Sequence, residues 1–328
     1  RTFRPISAAK QNVQKWQMQF ATPWYEEIMM KNASVGIIGV GLMGHGIALN
    51  VVSKGWTMGF LDHPGNQPSE DLEKLGAKKF SDKHSLAAAS DVIILCVSGT
   101  PQVEDILLGD NGILGSLKKG TIIVDCSTAI PSSTKRIADL TKAAGGKFVD
   151  APMTRTPLEA ALGRLNLLVG AEDAVFASVK PLLETFAENL FHAGEVSSGH
   201  KLKLLHNYVS LGMVTLLGEA AACAKRGGIS AEVFTEVLSK GGGYGAAFDR
   251  VSPFILNGDN SKMKFFVSNA HKDISYYLEM TGDVSAERNI AQGVTTALQT
   301  LVDAGLGNDF LSETPKLFDE VSNKSLKD

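Results

Sequence analysis

The stretch Ser34-Val35-Gly36-Ile37-Ile38-Gly39-Val40-Gly41-Leu42-Met43-Gly44 decides the fold. The run Ser34–Val40 is apolar and reads as a strand. It ends in G-x-G-x-x-G, and a helical pattern follows over Met43–Lys54. In this motif Gly39 permits the tight turn, Gly41 lets a pyrophosphate approach the backbone, and Gly44 allows close helix–strand packing. The helix N-terminus offers free N–H groups and a partial positive charge to the phosphates. The motif by itself is weak; the strand before it and the helix after it supply the context. The second strand, Thr57–Leu61, runs into Asp62, 23 residues after Gly39. That is close to the spacing at which an acid hydrogen-bonds an adenosine ribose 2′-OH. A carboxylate repels a 2′-phosphate, so NAD is expected ahead of NADP, with NADP still possible. The plainer alternative is a structural turn followed by a solvated Asp62.

Outward from this loop the pattern repeats. Further strands are expected at Ala77–Phe80, Asp91–Val97, Thr121–Cys126, Lys147–Ala151, Asn166–Val169 and Leu190–His192. Val92-Ile93-Ile94-Leu95 and Ile122-Ile123-Val124 are continuously apolar, which marks strands buried on both faces of a mainly parallel sheet. Helical patterns lie between them, such as Ser132–Ala144 behind Pro131. The expected fold class is α/β: a Rossmann-type doubly wound sheet over 34–195. After Gly194 the strand signal stops. Helices are expected near 200–226, 230–240, 244–256, 263–281, 285–304 and 312–322, so 196–328 reads as an all-α domain. The helix at 200–226 leads out of the first domain, and clefts between domains favour small-molecule sites.

Composition narrows the class. Glycine is 33 of 328 residues, above a typical usage of about 7 %. Charged residues are 20 % and the formal net charge is −3, which argues against a nucleic-acid surface. Cys96, Cys126 and Cys223 form no C-x-x-C pair, the usage of a reducing compartment, and each reads as a small buried hydrophobe. The seven histidines have no metal-ligand spacing, so no metal site is expected. The most apolar helix is broken by Lys201, Lys203, His206, Asn207, Glu219 and Lys225, so no membrane span is expected. Residues 1–33 read as an N-terminal extension. Arg1, Arg4, Lys10 and Lys15 precede the first acid, Glu26, a bias compatible with a mitochondrial transit peptide. The segment lacks a steady amphipathic rhythm, and Met29 or Met30 would make a natural start. A cytoplasmic location is expected, with the mitochondrial matrix as the alternative.

Four separated segments then carry a resemblance: Gly39-Val-Gly-Leu-Met-Gly44, Asp125-Cys-Ser-Thr128 followed by Pro131, Asp150-Ala-Pro-Met-Thr154, and Lys203-Leu-Leu-His-Asn207. A fifth is His271-Lys272-Asp273. Together they resemble the β-hydroxyacid dehydrogenase family, which includes 3-hydroxyisobutyrate dehydrogenase and tartronate semialdehyde reductase. The resemblance implies reversible hydride transfer between nicotinamide and a small acid's carbonyl or hydroxyl. It implies a cofactor held by Gly39, Gly41, Leu42, Met43, Gly44, Asp62, Val97, Ser98, Thr128 and Lys272. Lys203 would be the general acid/base, which requires its pKa to be lowered from about 10.4. Asn207, four residues on, shares its helix face. Lys272 would hold substrate or cofactor and depress the Lys203 pKa; a surface ion pair with Asp273 or Glu279 is the alternative. Ser127 and Thr128 follow a buried strand at its C-terminal end, where open sheets place ligands; helix capping is their plainer reading. The family forms dimers or tetramers, so a homodimer or homotetramer is expected.

Two departures bear on the substrate. Where the family has Ser-Gly-Gly, this chain has Thr154-Arg155-Thr156. That puts a guanidinium beside the expected anion site and resembles the sulfolactaldehyde reductase branch. The alternative is an Arg155 folded back onto a surface acid such as Glu159. His206 stands where Asn is common, with an open role. Sulfolactaldehyde is therefore the first substrate expected, with 3-hydroxyisobutyrate, tartronate semialdehyde and succinic semialdehyde or 4-hydroxybutyrate behind it. Imine reductases share the architecture but usually replace the lysine. A non-catalytic cofactor sensor is the rival class, and such a protein should have lost Lys203.

Overall fold

The computed structural model describes residues 33–325. The N-terminal extension inferred above lies outside them, apart from residue 33. The chain forms two compact units, one of 33–127 with Ser133–His200, the other of Thr128–Ser132 with 201–325. The final crossing, at 200/201, falls beyond the expected 195/196.

In the first unit six strands run parallel in the order β3 (Lys78–Phe80), β2 (Met58–Leu61), β1 (Val35–Ile38), β4 (Val92–Leu95), β5 (Ile122–Asp125), β6 (Lys147–Asp150). Strand β8 (Leu165–Gly170) is antiparallel to β6, β7 (Met153–Thr154) is antiparallel to β8, and β9 (Ala187–Gly194) is parallel to it. The two-residue β7 is too short to leave a periodic signal and was not expected. The continuous apolar runs do fill both faces. Along β4, Ile94 packs into one core with Ile37 and Val124, while Ile93 and Leu95 pack into the other with Ile38 and Ile123. Successive strand side chains point to opposite faces, so a strand buried on both sides cannot alternate in polarity. Strand order runs outward in both directions from β1. The C-terminal ends of β1 and β4 therefore flank a switch point, where open sheets receive ligands.

Helices α1 (Leu42–Ser53), α2 (Glu70–Lys74), α3 (Lys83–Ala89) and α4 (Thr100–Leu108) follow β1, β2, β3 and β4, α5 (Pro131–Ala143) follows β5, α6 (Pro157–Ala161) follows β7, and α7 (Asp173–Leu183) follows β8. Helix α8 (Ser198–Arg226) begins in the first unit and runs on in the second. The second unit is helical, with α9 (Ala231–Ser239), α10 (Ala246–Asn257), α11 (Val267–Asp283), α12 (Asn289–Asp303) and α13 (Thr314–Ser325). Val214 and Leu217 of α8, Phe248 and Val251 of α10, Ile274 of α11 and Leu298 of α12 share one core. Helix α11 starts later than its apolar spacing suggests. Phe266 is extended there and bridges Phe310, with the two rings stacked at 5.2 Å. Among the described residues no helix is long and apolar enough to cross a membrane.

Candidate active site

The glycine loop has the shape its sequence predicts. Gly39 has φ +98°, and a Cβ there would collide with the Cys96 carbonyl. A Cβ at Gly44 would strike the Gly39 carbonyl, so the first turn of α1 rests on the loop itself. At Gly41 a Cβ would meet nothing within 4 Å, so the space above this residue is open to a ligand. Helix α1 has no side-chain N-cap and no acid in its first turn. Orphan N–H groups facing open space fit a pyrophosphate. Leu42 and Ser98 are exposed and Met43 and Val97 half-buried around this edge. Val97 N–H donates to Ser127 Oγ at 3.1 Å, tying the ends of β4 and β5 together. Asp62 is exposed beyond β2, its N–H donating to the Phe80 carbonyl at 2.7 Å. Its carboxylate pairs with Lys79 at 3.2 Å, a contact invisible in the spacing argument.

Arg155 is not aimed as expected. Its guanidinium pairs with Glu188 and donates to the Arg164 carbonyl, and Arg164 holds the other Glu188 oxygen at 3.1 Å. The expected fold-back partner, Glu159, is instead engaged by Thr156, whose N–H and hydroxyl form a capping box at the start of α6. Thr154 Oγ1 accepts from Asn166 at 3.1 Å. The Arg155 backbone has φ +82°, the left-handed region, at a position where the family pattern has glycine. Strand β9 supplies the acid that receives the Arg155 side chain.

One cluster was missed by sequence reasoning. His200 is fully buried, with Nδ1 2.7 Å from Thr134 Oγ1 and Nε2 3.1 Å from the Ser127 carbonyl. Asp125 and Asp150 flank it at 3.8 and 3.9 Å. Asp125 accepts the Ser127 N–H, and Asp150 accepts the N–H groups of Ser197 and His200. Burial pushes the Asp150 carboxyl up, against the pull of His200 and those N–H donors. Ser127 thus has its N–H, hydroxyl and carbonyl all held. The signal was present, since Asp125 and Asp150 each open a quoted motif, but nothing local linked them to His200.

In the second unit Lys203 lies on α8 with Asn207 one turn on. Asn207 is buried, and its Nδ2 donates to Asp273 Oδ2 at 2.7 Å. His206 Nδ1 lies 3.0 Å from Asn207 Oδ1. The amide oxygen must accept if Nδ2 serves Asp273, so Nδ1 carries the proton. Lys272 Nζ stands 3.1 Å from Asp273 Oδ1 as an ion pair, although its angle is too poor for a hydrogen bond to that oxygen. The plainer alternative for Lys272 is thus present, and its charge also acts on Lys203. Lys203 keeps part of its side-chain surface open, yet its pKa is pushed down to about 8. Burial is the largest cause; Asp273 opposes it, and the Lys272 ammonium adds to it. Tyr208 and Tyr277 stack at 4.2 Å beside this centre. Thr128, half-buried, falls in the short segment that groups with this unit.

All three cysteines are free. Burial pushes the Cys96 thiol up to about 12 and that of Cys126 up as well. Cys223 is exposed, contrary to expectation, because the apolar pattern of α8 continues round to a face left open.

Comparison with known proteins bears on the fold and the family. Residues 34–194 match the NAD binding domain of 6-phosphogluconate dehydrogenase, and 197–314 match the NAD-binding region of NADP-dependent 3-hydroxyisobutyrate dehydrogenase. The chain is 29 % identical over 303 residues to 2-(hydroxymethyl)glutarate dehydrogenase of Eubacterium barkeri, covering 91 % of this chain and 99 % of that one. It is 33 % identical over 194 residues to 2-hydroxy-3-oxopropionate reductase of Escherichia coli, covering 59 % and 66 %. The crystal structure of 3-hydroxyisobutyrate dehydrogenase from Salmonella typhimurium shares the fold, with TM-score 0.76, 23 % identity and coverage of 87 % and 100 %. The matched family models and these relatives make the chain an NAD(P)-binding oxidoreductase. Within that class the chain belongs to the β-hydroxyacid dehydrogenase family.

Proposed function

We propose that the chain catalyses reversible hydride transfer between NAD(H) and a small anionic hydroxy acid or its aldehyde, with Lys203 as the general acid/base. The supporting observation is the Lys203 pKa of about 8, close enough to neutrality for the amine to serve in both directions. The bound nicotinamide supplies or accepts the hydride. In reduction the Lys203 ammonium gives its proton to the carbonyl oxygen. In oxidation the neutral amine takes the hydroxyl proton while the carbon gives up its hydride. Asn207, anchored to Asp273 and His206, holds the reacting oxygen. Asp273 and Lys272 set the charge around the amine. Ser127 and Thr128 are candidate substrate contacts. Asp62 favours NADH over NADPH, and the protein works as a homodimer or homotetramer in a reducing compartment, cytoplasm or mitochondrial matrix.

The substrate carries an acid group. The names of the relatives, glutarate, propionate and isobutyrate derivatives among them, place a hydroxyl or oxo group on a carboxylic acid. Sulfolactaldehyde rested on Arg155, and the pairing of that guanidinium with Glu188 weakens the case for a sulfonate over a carboxylate. The test is a screen of NADH and NADPH oxidation against sulfolactaldehyde, tartronate semialdehyde, methylmalonate semialdehyde and succinic semialdehyde. Turnover with at least one, faster with NADH, is expected. Tight NADH binding without turnover of any would favour the non-catalytic sensor.

A further inference from the structure

Lys203, His206, Asn207 and Ser210 stand at i, i+3, i+4 and i+7 on α8, so they share one helix face. Above the far end of that stripe lies Arg250 of α10. It is half-buried, and its Nη1 reaches Ser210 Oγ at 3.5 Å, the outer limit of a hydrogen bond. Among the described residues Arg250 forms no ion pair, whereas Arg136, Arg155, Arg164 and Arg226 each hold a carboxylate. The charges of Lys203 and Arg250 both act on His206, which lies between Lys203 and Ser210 along α8. A half-buried guanidinium that faces a hydroxyl and not a carboxylate, two helical turns from an acid/base lysine, is suited to take an oxyanion in bidentate fashion.

We propose that Arg250, with Ser210, forms an anion subsite for the second acid group of a dianionic hydroxy acid whose reacting carbon lies at Lys203. Seven residues at about 1.5 Å each put Ser210 roughly 10 Å along the axis from Lys203. An acid a few carbons from the reacting centre spans that gap with the help of the arginine's reach; an acid on the adjacent carbon does not. The subsite therefore selects short dicarboxylates over monocarboxylates. It rests on the assignment of Lys203 to the reacting carbon, but it is tested without turnover.

Glutarate and pentanoate share a five-carbon chain and differ only in the second carboxylate, and neither is turned over. Calorimetric titration of each into the full chain should show glutarate binding at least tenfold more tightly. In Arg250→Gln that gap should close to within about threefold, and Arg250→Lys, which keeps the charge but not the fork, should retain part of it. Lys203→Ala should keep the gap, because both acids lose the same contact. Circular dichroism confirms that each variant is folded. Equal binding of the two acids by the wild-type protein, or a gap that survives Arg250→Gln, overturns the proposal. A failure of the acid/base assignment would appear in turnover alone and leave these titrations unchanged.

Discussion

Asn207 Nδ2 donates to Asp273 Oδ2 at 2.7 Å, and that bond joins the helix of Lys203 to the helix of Lys272. Asp273 favours the charged form of Lys203, and Lys272 disfavours it. The signs follow. In the oxidation direction kcat/KM should rise with pH and level off above about 8. Lys272→Met removes a like charge, so the limb should move to higher pH. Asp273→Asn removes an opposite charge, so the limb should move to lower pH. Shifts in the same direction for both variants would remove the electrostatic account.

Cofactor choice turns on an ion pair. Asp62 repels a 2′-phosphate, but Lys79 sits 3.2 Å away and softens that repulsion. The kcat/KM ratio for NADH over NADPH should fall by about tenfold in Asp62→Ser, a change of roughly 1.4 kcal/mol. Lys79→Ala should raise the ratio. An unchanged ratio in Asp62→Ser would place the ribose elsewhere.

Arg155 occupies a left-handed backbone position, which costs a side chain about 1–2 kcal/mol relative to glycine. Its pair with Glu188, half-buried at the arginine and exposed at the glutamate, contributes only about 0–1 kcal/mol in return. Arg155→Gly should therefore hold or raise Tm. With the guanidinium committed to Glu188, KM for anionic substrates should change by less than about threefold. A tenfold rise in KM would restore Arg155 as the substrate's anchor.

His200 is fully buried between Thr134 Oγ1 and the Ser127 carbonyl, which its Nε2 holds at 3.1 Å. His200→Ala should destabilise the protein by roughly 2–4 kcal/mol in urea titration, because it leaves a cavity and strips the Thr134 hydroxyl and the Ser127 carbonyl of their partner. His200→Gln keeps a donor for Ser127 and should lose less. Equal losses in the two variants would mean that the donor kept by Gln does not support the Ser127 carbonyl.

Much of the fold was legible because its signals are local. Gly39 and Gly44 announce a turn and a close contact within six residues, and runs such as Val92–Leu95 are apolar because both faces of their strand are covered. The Lys203–Asn207 pair is legible for the same reason, being one helical turn apart. Contacts set by tertiary packing left no such trace. Glu188 lies 33 residues from Arg155, Arg250 lies 40 from Ser210, and Asp150 lies 50 from His200. A departure from a family motif showed that Arg155 mattered but not which way it pointed. The direction was set by an acid on β9 that no motif contains.

The central claim is that Lys203 moves the proton. Its most direct test is Lys203→Ala, assayed in the oxidation direction across pH 6–10 together with NADH binding by fluorescence. The account predicts retained NADH affinity, a fall in kcat of about 10²–10⁴, and loss of the limb near pH 8. Near wild-type turnover with the limb still in place would contradict it.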